Sequence, residues 1–131
     1  MNKLKGFISK VSTSGNISIV EVNIQSEKIF SIIIGNKEEF LKIGNEVYVL
    51  FKETEVSIAK DFKGEISLQN RLNCKILKIN KGKLLTEIIM QWKNEKIKSI
   101  ITTKSAERLS LREGDNITAF IKTNEVSLME I

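Results

Sequence analysis

Val20-Glu21-Val22-Asn23-Ile24-Gln25 decides the fold. Apolar and polar side chains alternate through it, the period of a β-strand with one face buried and the other in water. Ile88, Met90 and Trp92 repeat that alternation 68 positions later. Outward from this stretch the same offset places Leu4 on Leu72, Ile8 on Ile76, Lys10 on Lys78, Glu27-Lys28-Ile29 on Glu95-Lys96-Ile97 and Ser31-Ile32-Ile33 on Ser99-Ile100-Ile101. Beyond Ile101 the offset becomes 70, which superimposes Gly44 on Gly114, Lys52 on Lys122 and Glu55-Val56-Ser57 on Glu125-Val126-Ser127. The chain is two copies of one unit, assigned to residues 1–66 and 67–131, and the second copy carries two extra residues just after Ile101.

Each copy reads as about five strands. Phe7 to Val11 and Lys75 to Ile79 are β-branched runs followed by polar turns at Gly15 and Gly82. After the alternating strands come Ile29 to Ile34 and Ile97 to Thr102, then Glu46 to Lys52 and Asn116 to Lys122, and last Glu55 to Ala59 and Glu125 to Met129. A short helix is expected before the glycine of each unit. In the second copy Ala106, Leu109 and Leu111 would pack inward, with Thr102 or Thr103 as N-cap. The first copy offers only Gly35-Asn36-Lys37-Glu38-Glu39-Phe40 there, without a hydroxyl. The expected fold is all-β: two tandem OB-like five-stranded barrels, each with a short helix, because closing a small sheet removes its exposed edges.

Composition narrows the function. The 131 residues include no histidine and one cysteine, Cys74, so a transition-metal cation site is not expected and no internal disulfide can form. No Ser or Cys has a recognisable base at motif spacing, and an enzyme is not expected. No apolar run approaches the ~20 residues that cross a bilayer, and the first residues lack the apolar segment of a signal peptide, so the expected compartment is the cytoplasm, with no membrane partner. The net charge of +5 is unevenly placed. Residues 1–66 hold nine Lys against nine Asp or Glu; residues 67–131 hold twelve Lys or Arg against seven acids. The second half is the one suited to face an anion.

The donors for an anion concentrate there. Thr102, Thr103 and Ser105 place three hydroxyls at a helix start, Lys122-Thr123-Asn124 follows a strand, and Ser67-Leu68-Gln69-Asn70 opens the unit. Neutral donors with one lysine are a chemistry for holding an oxyanion.

At these residues the chain resembles the molybdate-binding Mop domains, or molbindins, which also occur as TOBE domains of transport ATPases and molybdate-responsive regulators. The family pattern opens Ser-Ala-Arg-Asn-x-Leu-x-Gly, continues to Ile-Thr-x-x-Ser and Leu-x-Leu-x-x-Gly-Asp, and ends near Ile-Lys-Ala-x-x-Val. The second copy reads Ser67-Leu68-Gln69-Asn70-Arg71-Leu72-Asn73-Cys74, Ile101-Thr102-Thr103-Lys104-Ser105, Leu109-Ser110-Leu111-Arg112-Glu113-Gly114-Asp115 and Ile121-Lys122-Thr123-Asn124-Glu125-Val126. The first retains Asn2-Lys3-Leu4-Lys5-Gly6, Leu41-Lys42-Ile43-Gly44-Asn45 and Phe51-Lys52-Glu53-Thr54-Glu55-Val56.

The resemblance implies molybdate or tungstate as bound ligand, held without catalysis at interfaces between units of a homo-oligomer, a trimer in preference to a dimer. Carried over by position, Ser67, Gln69 and Asn70 serve one class of site with Lys122 and Thr123. Thr102, Thr103 and Ser105 serve a second, and Asn2 and Lys52 are the first-copy counterparts. Two departures weaken individual sites. Gln69 stands where the family has arginine, and Glu53 follows Lys52 where a small residue is expected, setting a carboxylate beside the anion.

Two other readings compete with storage or buffering. The units could be the sensing module of a regulator or transport ATPase, although the chain has neither a helix-turn-helix nor a Walker loop. An OB-type nucleic-acid-binding protein would need aromatics along the sheet, whereas the chain has one Trp and one Tyr, with Trp92 in the buried alternation.

Overall fold

A computed structural model describes all 131 residues, Met1–Ile131. The strands are β1 (Asn2–Ser14), β2 (Ile17–Ile24), β3 (Glu27–Ile34), β4 (Glu46–Phe51), β5 (Ser57–Ala59), β6 (Asn70–Lys81), β7 (Leu85–Trp92), β8 (Glu95–Thr102), β9 (Asn116–Ile121) and β10 (Ser127–Glu130); α1 spans Thr103–Arg108. They form two five-stranded sheets, ordered β10-β4-β1-β2-β3 and β5-β9-β6-β7-β8. All pairings are antiparallel.

The alternation produces the cores as the sequence predicts. Leu4, Ile8, Val20, Val22, Ile24, Ile29, Val47, Val49 and Phe51 are buried in the first sheet. Leu72, Ile76, Ile88, Met90, Trp92, Ile97, Ile117, Ala119 and Ile121 are buried in the second. Each long first strand breaks register at the same place, between Ile8 and Lys10 and between Ile76 and Lys78. An extra residue there bends the strand and increases its twist, which curls the sheet. Behind the bulge, Gly44 N–H donates to Ile8 O and Gly114 N–H to Ile76 O, both at 2.8 Å. Both glycines have φ near +90° (92° and 90°), a turn conformation costly for any residue with a Cβ.

The closing strands are exchanged between the repeats. β10, from the second repeat, pairs with β4, and β5, from the first, pairs with β9. The compact units are therefore Met1–Phe51 with Lys122–Ile131, and Lys52–Ile121. The repeats 1–66 and 67–131 are a different division of the same chain. Within each unit a buried serine joins the two edges of the curled sheet. Ser31 on β3 donates to Val126 O, just before β10, at 2.6 Å, and Ser99 on β8 donates to Val56 O, just before β5, at 2.7 Å.

The helix forms in one unit only, which corrects the expectation of one in each. Thr102 caps α1 by accepting from Ser105 N at 3.1 Å. In the first unit the segment after β3 is two residues shorter, begins at Gly35 with φ 98° and has no capping hydroxyl, so it stays irregular. No helix is long and apolar enough to cross a membrane.

Candidate functional site: two grooves beside the sheet seams

Each unit has a groove beside its serine seam, lined by corresponding residues. In the second unit it is about 470 Å³ and is lined by Thr54, Ser57, Ile58, Leu85, Ile100, Thr102, Ser105 and Arg108, among others. It presents four hydroxyls, one guanidinium and no carboxylate. In the first unit the groove is about 290 Å³; Asn124, Ser127 and Leu128 replace Thr54, Ser57 and Ile58, and its one charged side chain is Glu38. An oxyanion accepts hydrogen bonds and repels carboxylates, so the second groove suits it and the first does not.

The hydroxyls of the second groove are ordered. Thr102 Oγ1 accepts from Ser105 N and donates to Ser105 Oγ at 2.9 Å. With its own proton held there, Thr102 orients Ser105, whose hydroxyl proton remains free to donate outward. Thr103 turns the other way. It is buried, donates to Gly82 O at 2.8 Å and shares a 2.8 Å hydroxyl contact with Thr86. The structure thus pairs Thr102 with Ser105 and gives Thr103 to the scaffold.

The remaining expected site residues are divided by the strand exchange. Ser67 and Gln69 are exposed in the segment leading to β6, while Asn70 is fully buried at its start, opposite Ile121. Asn2 is likewise buried at the start of β1, opposite Phe51. No buried side-chain polar atom lacks a partner, so both asparagine amides are already satisfied within the chain. Lys52 and Lys122 are exposed and each precedes a single 3₁₀ turn, Glu53–Glu55 and Thr123–Glu125. Lys122 and Thr123 belong to the same unit as Asn2, and Lys52 to the unit of Ser67, Gln69, Asn70, Thr102, Thr103 and Ser105.

Arg71 does not supply the charge missing at Gln69. Its guanidinium donates to Leu68 O and Ile66 O at 3.3 and 3.1 Å and lies over the rings of Phe62 and Phe120. The groove residues that sequence reading missed are Thr54, Ser57 and Arg108. Arg108 stands three positions after Ser105 on α1, the spacing that sets two helical side chains on one face, and that spacing was its available signal. Thr54 and Ser57 had none, since they reach the groove through the exchanged strand. Cys74 is buried with its thiol against Leu72 O, and burial pushes its pKa from 9.0 up to about 12. That holds it as an inert, packed thiol. No group of three or more His, Cys, Asp or Glu is placed to hold a metal cation.

The fold and its grooves define a class: a tandem of OB-like β-units with exchanged closing strands, one of which carries an oxyanion-compatible groove. A TOBE-domain model matches residues 66–128. Molybdenum-pterin-binding protein 1 of Clostridium pasteurianum is 35% identical over 65 residues, which are 49% of this chain and 96% of that protein. Molybdenum-pterin-binding protein 3 of the same organism is 34% identical over the same length and shares. Among solved structures, that of the cytoplasmic molybdate-binding protein ModG, with molybdate bound, matches with a TM-score of 0.94 at 22% identity, covering 99% of this chain and 96% of that one. The chain belongs to the Mop/TOBE family, and the stretch that the family model matches is its second repeat.

Proposed function

We propose that this protein binds molybdate or tungstate and stores or buffers it in the cytoplasm, without chemical turnover, at sites completed between units of a homo-oligomer, a trimer in preference to a dimer. The observation that carries the reading is the groove of the second unit, with its hydroxyls, Arg108 and no carboxylate. Family relatives named for molybdenum support the choice of anion, and the description of ModG as cytoplasmic supports the compartment.

In this reading Ser105 donates to the anion, Thr102 fixes the direction of that donation, and Arg108 offsets part of the dianion's charge. A buried dianion gives up its hydration, so charge-assisted hydrogen bonds must replace it. Lys122 and Thr123, with Ser67 and Gln69, serve the other class of site, and Lys52 its counterpart; Asn70 and Asn2, buried opposite Ile121 and Phe51, hold the strand ends that lead into Lys122 and Lys52. Selectivity over sulfate comes from cavity size, because both ions are tetrahedral dianions accepting the same bonds. Isothermal titration with molybdate, tungstate and sulfate tests the reading: micromolar binding of the first two and weaker binding of sulfate are expected, and no heat from molybdate or tungstate at those concentrations overturns it.

A further inference from the structure

The segment between β5 and β6 does more than connect them. Phe62 packs edge-on against Phe120, with ring centroids 5.5 Å apart and planes at 74°. This explains why Ala119, Phe120 and Ile121 are all buried in succession: the first and third face the core, and Phe120 is covered from outside. Between this segment and β7 runs a groove of about 440 Å³, within the range of small-molecule sites, which is roughly 300–1,000 Å³.

Its floor is polar and open except at Gln91, whose amide N–H donates to Lys93 O. Asn73 faces Thr118 and Lys75 faces Asn116 across the β6–β9 pair, with Gln91 beside Lys75 on β7 and Asp61 and Phe62 on the opposite wall. The side chains of Asn73, Lys75, Asn116 and Thr118 make no hydrogen bond or ion pair within the chain. At the corresponding positions the first unit satisfies itself. Lys5, in place of Asn73, pairs with Glu46, in place of Asn116, at 3.2 Å, and the Lys3 ammonium lies 4.0 Å from the centroid of Tyr48, which replaces Thr118.

One aromatic wall, one ammonium, one carboxylate, three amides and a hydroxyl are complementary to a planar amino-heterocycle bearing an anionic group. We propose that this groove binds a free mononucleotide, its base against Phe62, its amino and ring nitrogens toward Asp61 and the amides, and its phosphate toward Lys75. A single aromatic wall accommodates one base and offers no stacking track for a strand.

The test is titration of the full chain with AMP, GMP and CMP, followed by amide chemical shifts. Saturable shifts confined to residues around Phe62, Asn73–Lys75, Gln91 and Asn116–Thr118 are expected. Lys75→Gln removes the ammonium, and Phe62→Leu removes the aromatic wall while keeping Phe120 covered. Each should weaken binding roughly tenfold with the folded spectrum and tungstate binding retained. No shifts at millimolar nucleotide, shifts elsewhere, or unchanged affinity in both variants overturns the proposal. So does tighter, salt-sensitive binding of a twelve-residue oligonucleotide that Phe62→Leu leaves intact, which would mark a general polyanion surface.

Discussion

Ser99 donates its hydroxyl to the carbonyl of Val56, 43 residues earlier, at 2.7 Å, and so ties the last strand of the second sheet to the strand that the first repeat contributes. Ser31 and Val126 do the same in the first unit across 95 residues. Both serines and the two valines that accept from them are buried, so a carbonyl that loses its serine is left without a ready replacement from water. Ser99→Ala and Ser31→Ala should each cost about 1–3 kcal/mol. Urea denaturation checks this, and a loss below about 0.5 kcal/mol in both would mean that the seams do not hold the sheets.

The exchange gives a truncation an unusual address. Removing Ser127–Ile131 takes β10 from the first sheet and uncovers β4, although the deleted residues belong to the second repeat. Amides of Val47–Leu50 should then exchange faster with solvent deuterium, while Ile117–Ile121, paired with β5 and β6, keep their protection. Loss of protection in β9 instead would contradict the exchange.

For the oxyanion groove, Arg108→Gln removes its one charge and Ser105→Ala its free hydroxyl donor. A charge-assisted bond contributes about 1.5–3 kcal/mol, so the arginine change should weaken tungstate binding about tenfold or more, and the serine change by less. Thr103→Val should act on stability instead, since the Thr103 hydroxyl is bonded to Gly82 and Thr86. Lys122→Ala tests the other class of site by the same titration. Unchanged affinity there would remove that lysine from the assignment.

Cys74 sets a pH dependence at the alkaline end. Burial raises its folded pKa to about 12, above the ordinary 9.0. Below pH 9 the thiol is neutral in both states and contributes no slope. Between pH 9 and 12 only the unfolded chain loses the proton, so stability falls by up to about 1.4 kcal/mol per pH unit. Compared with wild type, Cys74→Ala should show a shallower decline above pH 9. Iodoacetamide at pH 8 should leave the native thiol unmodified until denaturant is added; rapid native alkylation would show that the thiol is not buried.

Much of this was legible without a structure. Strand period, repeat and turn glycines are local properties, because a half-buried strand writes its buried face into every second residue. The two-residue surplus after Ile101 marked where α1 forms, and Thr102 could be read as its cap. The direction of Thr103 could not be read, since it depends on Gly82 O and Thr86, which chain proximity does not reveal.

The sequence by itself determined that the chain is two copies of a five-stranded unit and which residues line each core, since those follow from periodicity. The tertiary structure alone decided which closing strand completes which sheet. Glu55-Val56-Ser57 and Glu125-Val126-Ser127 are identical, so local pattern cannot distinguish pairing with β4 from pairing with β9. It also decided that Arg108, Thr54 and Ser57 share a groove with Ser105. That neighbourhood is made by the exchanged strand and does not exist along the chain.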